Sequence, residues 1–154
     1  MTKSVTPFLW FDTQAEDAMK FYMSVFKDSK EISVARPAPD APAFTVEFEL
    51  QGQRFMGLNA GPLYKFNESV SFFVSVETQD EIDYYWNALT ASGGEGGNCG
   101  WLKDQFGLSW QIVPTKLGEL LGGADHEGAG RAMQSMMGMK KLVITEMQQA
   151  YEGR

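Results

Sequence analysis

"SFFVSVETQDEIDYYWNAL", residues 71–89, carries two periods in one short run. Its opening, Ser71 to Val76, is rich in Val and Phe, which predicts a strand. Thr78 and Glu81 then make the S/T-x-x-E pattern of a capping box, in which each side chain can satisfy a backbone N–H of the first helical turn. Ile82, Tyr85, Trp86 and Leu89 follow at spacings of three and four, so a helix with one apolar face is expected. The run is a strand feeding a helix.

The same order occurs earlier. "TPFLWFD" (residues 6–12) reads as a strand. Thr13 and Glu16 repeat the capping pattern within Thr13-Gln14-x-Glu16, the counterpart of Thr78-Gln79-x-Glu81. Ala18, Phe21, Tyr22, Val25 and Phe26 continue it at helical spacing. Beyond this helix, "EISVA" reads as a weak strand and "RPAPDAP" (residues 36–42) as a Pro-rich loop. "AFTVEFELQGQRFMGLNAGP" then reads as a hairpin in which Phe44, Val46, Phe48 and Leu50 alternate with Thr45, Glu47 and Glu49. The later half supplies short strands around Cys99 and Trp101 and ends in "DQFGLSWQIVP" (residues 104–114). Each half therefore reads β-α-β-β-β, and the repeat points to a duplication.

The expected fold class is α+β. Two β-α-β-β-β modules, residues 5–60 and 69–114, form a cupped mixed sheet within a single domain of residues 1–154, and a short helical tail spans 115–154. Two sheets paired in this way place helices outside and leave a concave face for a ligand. Strand phase then assigns the faces. Trp110, Ile112, Phe72, Val74 and Val76 should pack under helices, whereas Ser71, Phe73, Ser75, Ser109, Gln111 and Val113 should point into the cup. The tail reads as three helices near residues 116–121, 128–137 and 142–151. It is expected to be an appendage whose Leu and Met residues cover an edge or a partner.

Composition narrows the function. The 154 residues suffice for one well-buried domain, with 44% hydrophobic and 21% charged residues. A net charge of −7 argues against a nucleic-acid surface, which requires clustered Lys and Arg. No apolar run approaches the ~20 residues of a membrane span. No signal peptide is visible, and the one cysteine excludes an internal disulfide, so a cytoplasmic protein is expected. One histidine and one cysteine also exclude a two-His iron site or a Cys/His zinc cage within the chain. His126 is expected to be exposed, Cys99 to sit in a tight turn at the rim of the cup, and the Glu47–Glu49 pair to be a solvated strand face.

The longer phrases carry a family resemblance. "WFD" with "AEDAMKFY", then "FMGLNAGP", "CGWLKDQFGLSWQIVP" and the Met-rich tail ending in "AYEG" resemble the vicinal-oxygen-chelate superfamily. Within it the chain resembles the PhnB-like group labelled 3-demethylubiquinone-9 3-methyltransferase, over essentially its whole length. The resemblance implies a homodimer with a ligand cavity. Metal-using members place His, Gln or Glu on four inward-facing strand positions. Here those positions fall near Pro7, at residues 57–59, at Ser71 and at Gln111, with no acid or imidazole among them. No cofactor is therefore expected, and a divalent metal would be held only weakly by such neutral oxygens. The Gly-rich runs "SGGEGGNCG" and "GGADHEGAG" lack the strand–turn–helix order of a nucleotide-binding turn, so methyl transfer is not expected either. The expectation is a protein that binds a small organic molecule through Leu9, Asn59, Ser71, Phe73, Cys99, Trp101, Ser109 and Gln111. The alternatives are a metal-dependent isomerase, lyase or dioxygenase, and an antibiotic-sequestering resistance protein.

Overall fold

A computed structural model describes residues 3–154 of the chain. It divides into two compact units, residues 1–66 and 67–154. The first contains β1 (Phe8–Phe11), α1 (Ala15–Val25), β2 (Ser29–Ala35), β3 (Thr45–Leu50) and β4 (Gln53–Asn59). The second contains β5 (Ser71–Val76), α2 (Gln79–Thr90), a 3-10 turn at Ala91–Gly93, β6 (Glu95–Gly96), β7 (Trp101–Lys103) and β8 (Ser109–Pro114). Their sheets have the orders β1-β4-β3-β2 and β5-β8-β7-β6, each with one parallel pair joining its first and last strands. The duplicated β-α-β-β-β reading is thus the observed topology.

In the first unit the core lies between α1 and one sheet face. Leu9 and Phe11 of β1, Met19 and Tyr22 of α1, and Val46, Phe48 and Leu50 of β3 are all buried. Tyr22 stacks on Phe48 with ring centroids 6.2 Å apart, and Phe48 on Phe55 at 5.5 Å. Burying each such side chain contributes about 1.5–3 kcal/mol, so this face fixes the register of the strands. Phe8 and Trp10 occupy the opposite face of β1.

The start of α1 departs from expectation. Thr13 makes no capping box there: Gln14 is the N-cap residue and offers no side-chain hydrogen bond. Asn59, at the end of β4, does the work instead. Its Oδ1 accepts the Ala15 N–H at 2.8 Å, while its Nδ2 donates to the Ala43 carbonyl at 2.9 Å. Glu16, the other half of the expected box, pairs with Arg36 at 2.5 Å and holds the Pro-rich loop through it. The Arg36 hydrogen bond keeps the Glu16 carboxyl below its usual range. In the second unit the box forms as read: Thr78 accepts the Glu81 N–H, and Glu81 accepts the Thr78 N–H.

The tail forms α3 (Thr115–Gly122), α4 (His126–Met137) and α5 (Ile144–Glu152), and its apolar residues pack on the end of β8. Val113 of β8 is buried in a cluster with Leu120, Ala132, Met139, Leu142 and Met147. The expected open position of Val113 is therefore covered by the chain's own helices. Backbone bonds add to the attachment, from Cys99 N–H to the Met139 carbonyl and from Gly100 N–H to the Lys140 carbonyl, both 2.8 Å. Gly100 is obligatory at this junction, since its φ of +85° is left-handed and a Cβ would meet the Ile112 carbonyl at 2.9 Å. Gln79 closes the attachment from α2: its Nε2 donates to the Leu142 carbonyl and its Oε1 accepts the Ile144 N–H. No helix among the described residues is long and apolar enough to cross a membrane.

Candidate functional site

The second sheet turns its two faces to different tasks. Trp110, Ile112, Val74 and Val76 are buried on the α2 side, and Phe72 packs its ring on Trp110 at 5.5 Å. Gly96 belongs to this side too, because a Cβ there would lie 2.7 Å from the Trp86 ring of α2. Alternation along β6 then sends its neighbour Glu95 to the other face. Ladder partners on that face form two rows. One runs Glu95, Lys103, Ser109 and Ser71, and the other runs Trp101, Gln111 and Phe73.

A pocket of about 490 Å³ opens on this face, lined by Glu68, residues 95–98, Trp101, Leu102, Lys103 and Ser109. Its charges are sparse and partly spent. Lys103 pairs with Glu68, and that hydrogen bond holds the Glu68 carboxyl below its usual range. Ser109 is the anomaly in the wall. The residue is 1% exposed, and its Oγ finds no hydrogen-bond partner among the described residues. Buried hydroxyls are normally satisfied, because an unpaired one costs about 1–3 kcal/mol.

The wall is held in place by a residue that the sequence shows only as the start of a turn. Asp104 begins the β7–β8 turn and is 3% exposed. Its Oδ1 accepts the N–H groups of Phe106 at 2.9 Å and Leu108 at 3.0 Å, and its Oδ2 accepts the Trp110 indole N–H at 2.9 Å. This fixes where Ser109 stands between Leu108 and Trp110. Asp followed by Gly three residues on is an ordinary turn signal; the indole bond has no local signature.

The expected site residues divide by unit. Trp101 and Ser109 line the pocket, and Ser71, Phe73 and Gln111 share its sheet face. Phe73 is 59% exposed, while the Gln111 Nε2 donates to the Ser71 Oγ at 2.9 Å. Cys99 holds a left-handed φ of 57° in the turn tied to the tail. Leu9 and Asn59 belong to the first unit. Leu9 is 5% exposed in the core beneath α1, because the phase of β1 gives the open face to Phe8 and Trp10. Asn59 spends its amide on the α1 start and on Ala43. His126 is exposed at the first turn of α4. Glu47 pairs with Arg54, and Glu49 with Lys30 at 3.8 Å; the expected solvated face is instead an ion-paired one, with the Glu47 side chain only 14% exposed beneath its arginine. Glu95, Glu68, Lys103 and Asn98 are pocket residues missed at the sequence level. Only the phase of the very short β6 could have revealed Glu95.

At the positions where the resemblance would place a metal, the donors are already engaged. Ser71 and Gln111 satisfy each other, and the Asn59 amide is occupied at both ends. Pro7 offers only its carbonyl, which accepts the Met56 N–H at 2.9 Å. Among the described residues no three His, Cys, Asp or Glu side chains group together as a metal site would require. Neutral donors already bonded to one another do not fit a hard divalent cation, whose affinity rises with ligand charge.

Comparison with known proteins gives a consistent set. The family model described as 3-demethylubiquinone-9 3-methyltransferase matches residues 3–113. A PhnB protein from Bacillus cereus with the same methyltransferase description is 31% identical. The match covers 73% of this chain and 99% of that one, with a TM-score of 0.66. A protein from Pseudomonas aeruginosa shares the fold at 17% identity, with coverage of 73% and 98% and a TM-score of 0.57. The fosfomycin resistance protein FosX from Listeria monocytogenes, complexed with Mn(II) and sulfate, shares it at 12% identity, with coverage of 74% and 90% and a TM-score of 0.53. A search of curated proteins returned no match.

Proposed function

This chain belongs to the 3-demethylubiquinone-9 3-methyltransferase family, the PhnB-like group of the glyoxalase-fold, vicinal-oxygen-chelate superfamily, and we propose that it binds a small organic molecule in the pocket of its second unit, without a catalytic metal. The observation that carries this reading is the Ser109 hydroxyl, buried and unpartnered in the pocket wall. Such a group costs stability until something bonds to it, and a small shift of the wall on ligand entry would bring the hydroxyl within the ligand's reach. Trp101 offers that ligand a rigid apolar surface. Methyl transfer is not part of the reading. The Gly-rich run of residues 92–100 is spent on a 3-10 turn, the short β6 and the turn that holds the tail. It cradles no nucleotide at a strand–helix junction.

The experiment is a thermal-shift screen of a metabolite panel against the wild type and Ser109→Ala. The expected outcome is a hit whose shift collapses in Ser109→Ala, although that variant is itself at least as stable as the wild type. Absence of any shift across the panel would sink the proposal. Metal analysis of the purified protein tests the second clause: stoichiometric metal held near Gln111 would overturn it.

A further inference from the structure

The charges around the pocket are unequal. Its lining contains two carboxylates, Glu68 and Glu95, and one ammonium, Lys103. Lys103 is ion-paired with Glu68, which leaves Glu95 with no hydrogen bond or ion pair among the described residues. Glu95 faces the pocket because Gly96 beside it is pressed against Trp86 on the other face. Lys103, its cross-strand partner, has its ammonium drawn to Glu68. Trp101 stands one ladder step diagonally from Glu95, about 7 Å along the sheet. Its indole face attracts cations, and a net charge of −7 over the chain favours their approach. A ligand anion would have to displace Glu68 from Lys103 and then sit beside both carboxylates. A cation meets an open carboxylate and an aromatic face at once.

Resting on the pocket reading above, we propose that the ligand is a small planar amine bound as its cation. Its ring lies against Trp101, its ammonium is at Glu95, and a polar atom on its ring or chain bonds to the Ser109 hydroxyl. Glu95 thereby sets the charge of the ligand, and Ser109 fixes its orientation.

The test compares three indoles of one shape and different charge: tryptamine, tryptophol and indole-3-acetate. Each is titrated calorimetrically into the wild type and Glu95→Gln, an exposed position whose change leaves the fold intact. Tryptamine is expected to bind tightest and indole-3-acetate weakest. Glu95→Gln should weaken tryptamine about tenfold, the scale of a charge-assisted hydrogen bond, and change tryptophol by less than about twofold. Indole-3-acetate binding as tightly as tryptamine, or tryptamine indifferent to Glu95→Gln, would overturn the amine class. So would failure of all three probes beside a panel hit that carries no cationic group. In each of those cases the pocket itself stands. Only a panel in which nothing of any charge shifts the melting temperature removes the pocket reading as well.

Discussion

Two buried polar side chains, five positions apart in sequence, behave in opposite ways. Asp104 is satisfied three times over by donors of its own turn and of Trp110. Asp104→Ala strands those donors and should cost about 3 kcal/mol, read as a lower urea midpoint. Ser109 has no partner, so Ser109→Ala removes a penalty instead of a bond. It should leave stability unchanged or raise it by about 1 kcal/mol in the same urea titration. Asp104 was legible only as a turn residue, because its bond to the Trp110 indole depends on strand phase and turn geometry together. Ser109 was legible as a pocket residue from alternation alone. That it lacks a partner depends on every neighbour, and no local pattern encodes it.

At the scale of elements, the attachment of the tail to α2 passes through Gln79 and Asp83. Gln79→Ala loses both bonds to the tail backbone and should cost about 1–2 kcal/mol, with faster amide exchange at Ile144 as the specific readout. Asp83 pairs with Lys141 at 2.8 Å. The Lys141 hydrogen bond, then that of Gln79, holds its carboxyl below the usual value. A carboxyl depressed in the folded state contributes fully above its unfolded pKa, near 3.9, and loses that contribution as pH falls through the lower folded value. The pair is partly exposed, so the amount is small, about 0.5 kcal/mol. Asp83→Asn should remove it, visible as a flatter acid limb in melting temperature against pH. The helices and the longer strands of both modules were legible because each carries its own period, whereas β6 and β7 are too short to show one. The tail's three helices were legible too, but their docking was not. Cys99 and Gly100 meet Met139 and Lys140 through backbone bonds, which leave no residue-type signature, and the Gln79 side chain meets backbone groups of Leu142 and Ile144 more than 60 positions away.

For the molecule as a whole, the tail completes the second unit. Removing residues 116–154 would expose Val113 and strip acceptors from the Cys99 and Gly100 N–H groups. The truncated chain is expected to lose the cooperative unfolding of its second unit, seen as a missing or broadened calorimetric transition. The duplication was legible because both copies kept the same element order and sheet order. What the copies did not keep is how each helix begins. Thr78 and Glu81 are neighbours in the chain, so α2 can nucleate within a fragment as soon as its first turn closes. The α1 start leans on Asn59, 44 residues away, and must wait for the hairpin to close that loop. Two copies of one topology are therefore expected to differ in time: the second carries the instruction for its helix inside it, and the first receives it from its last strand.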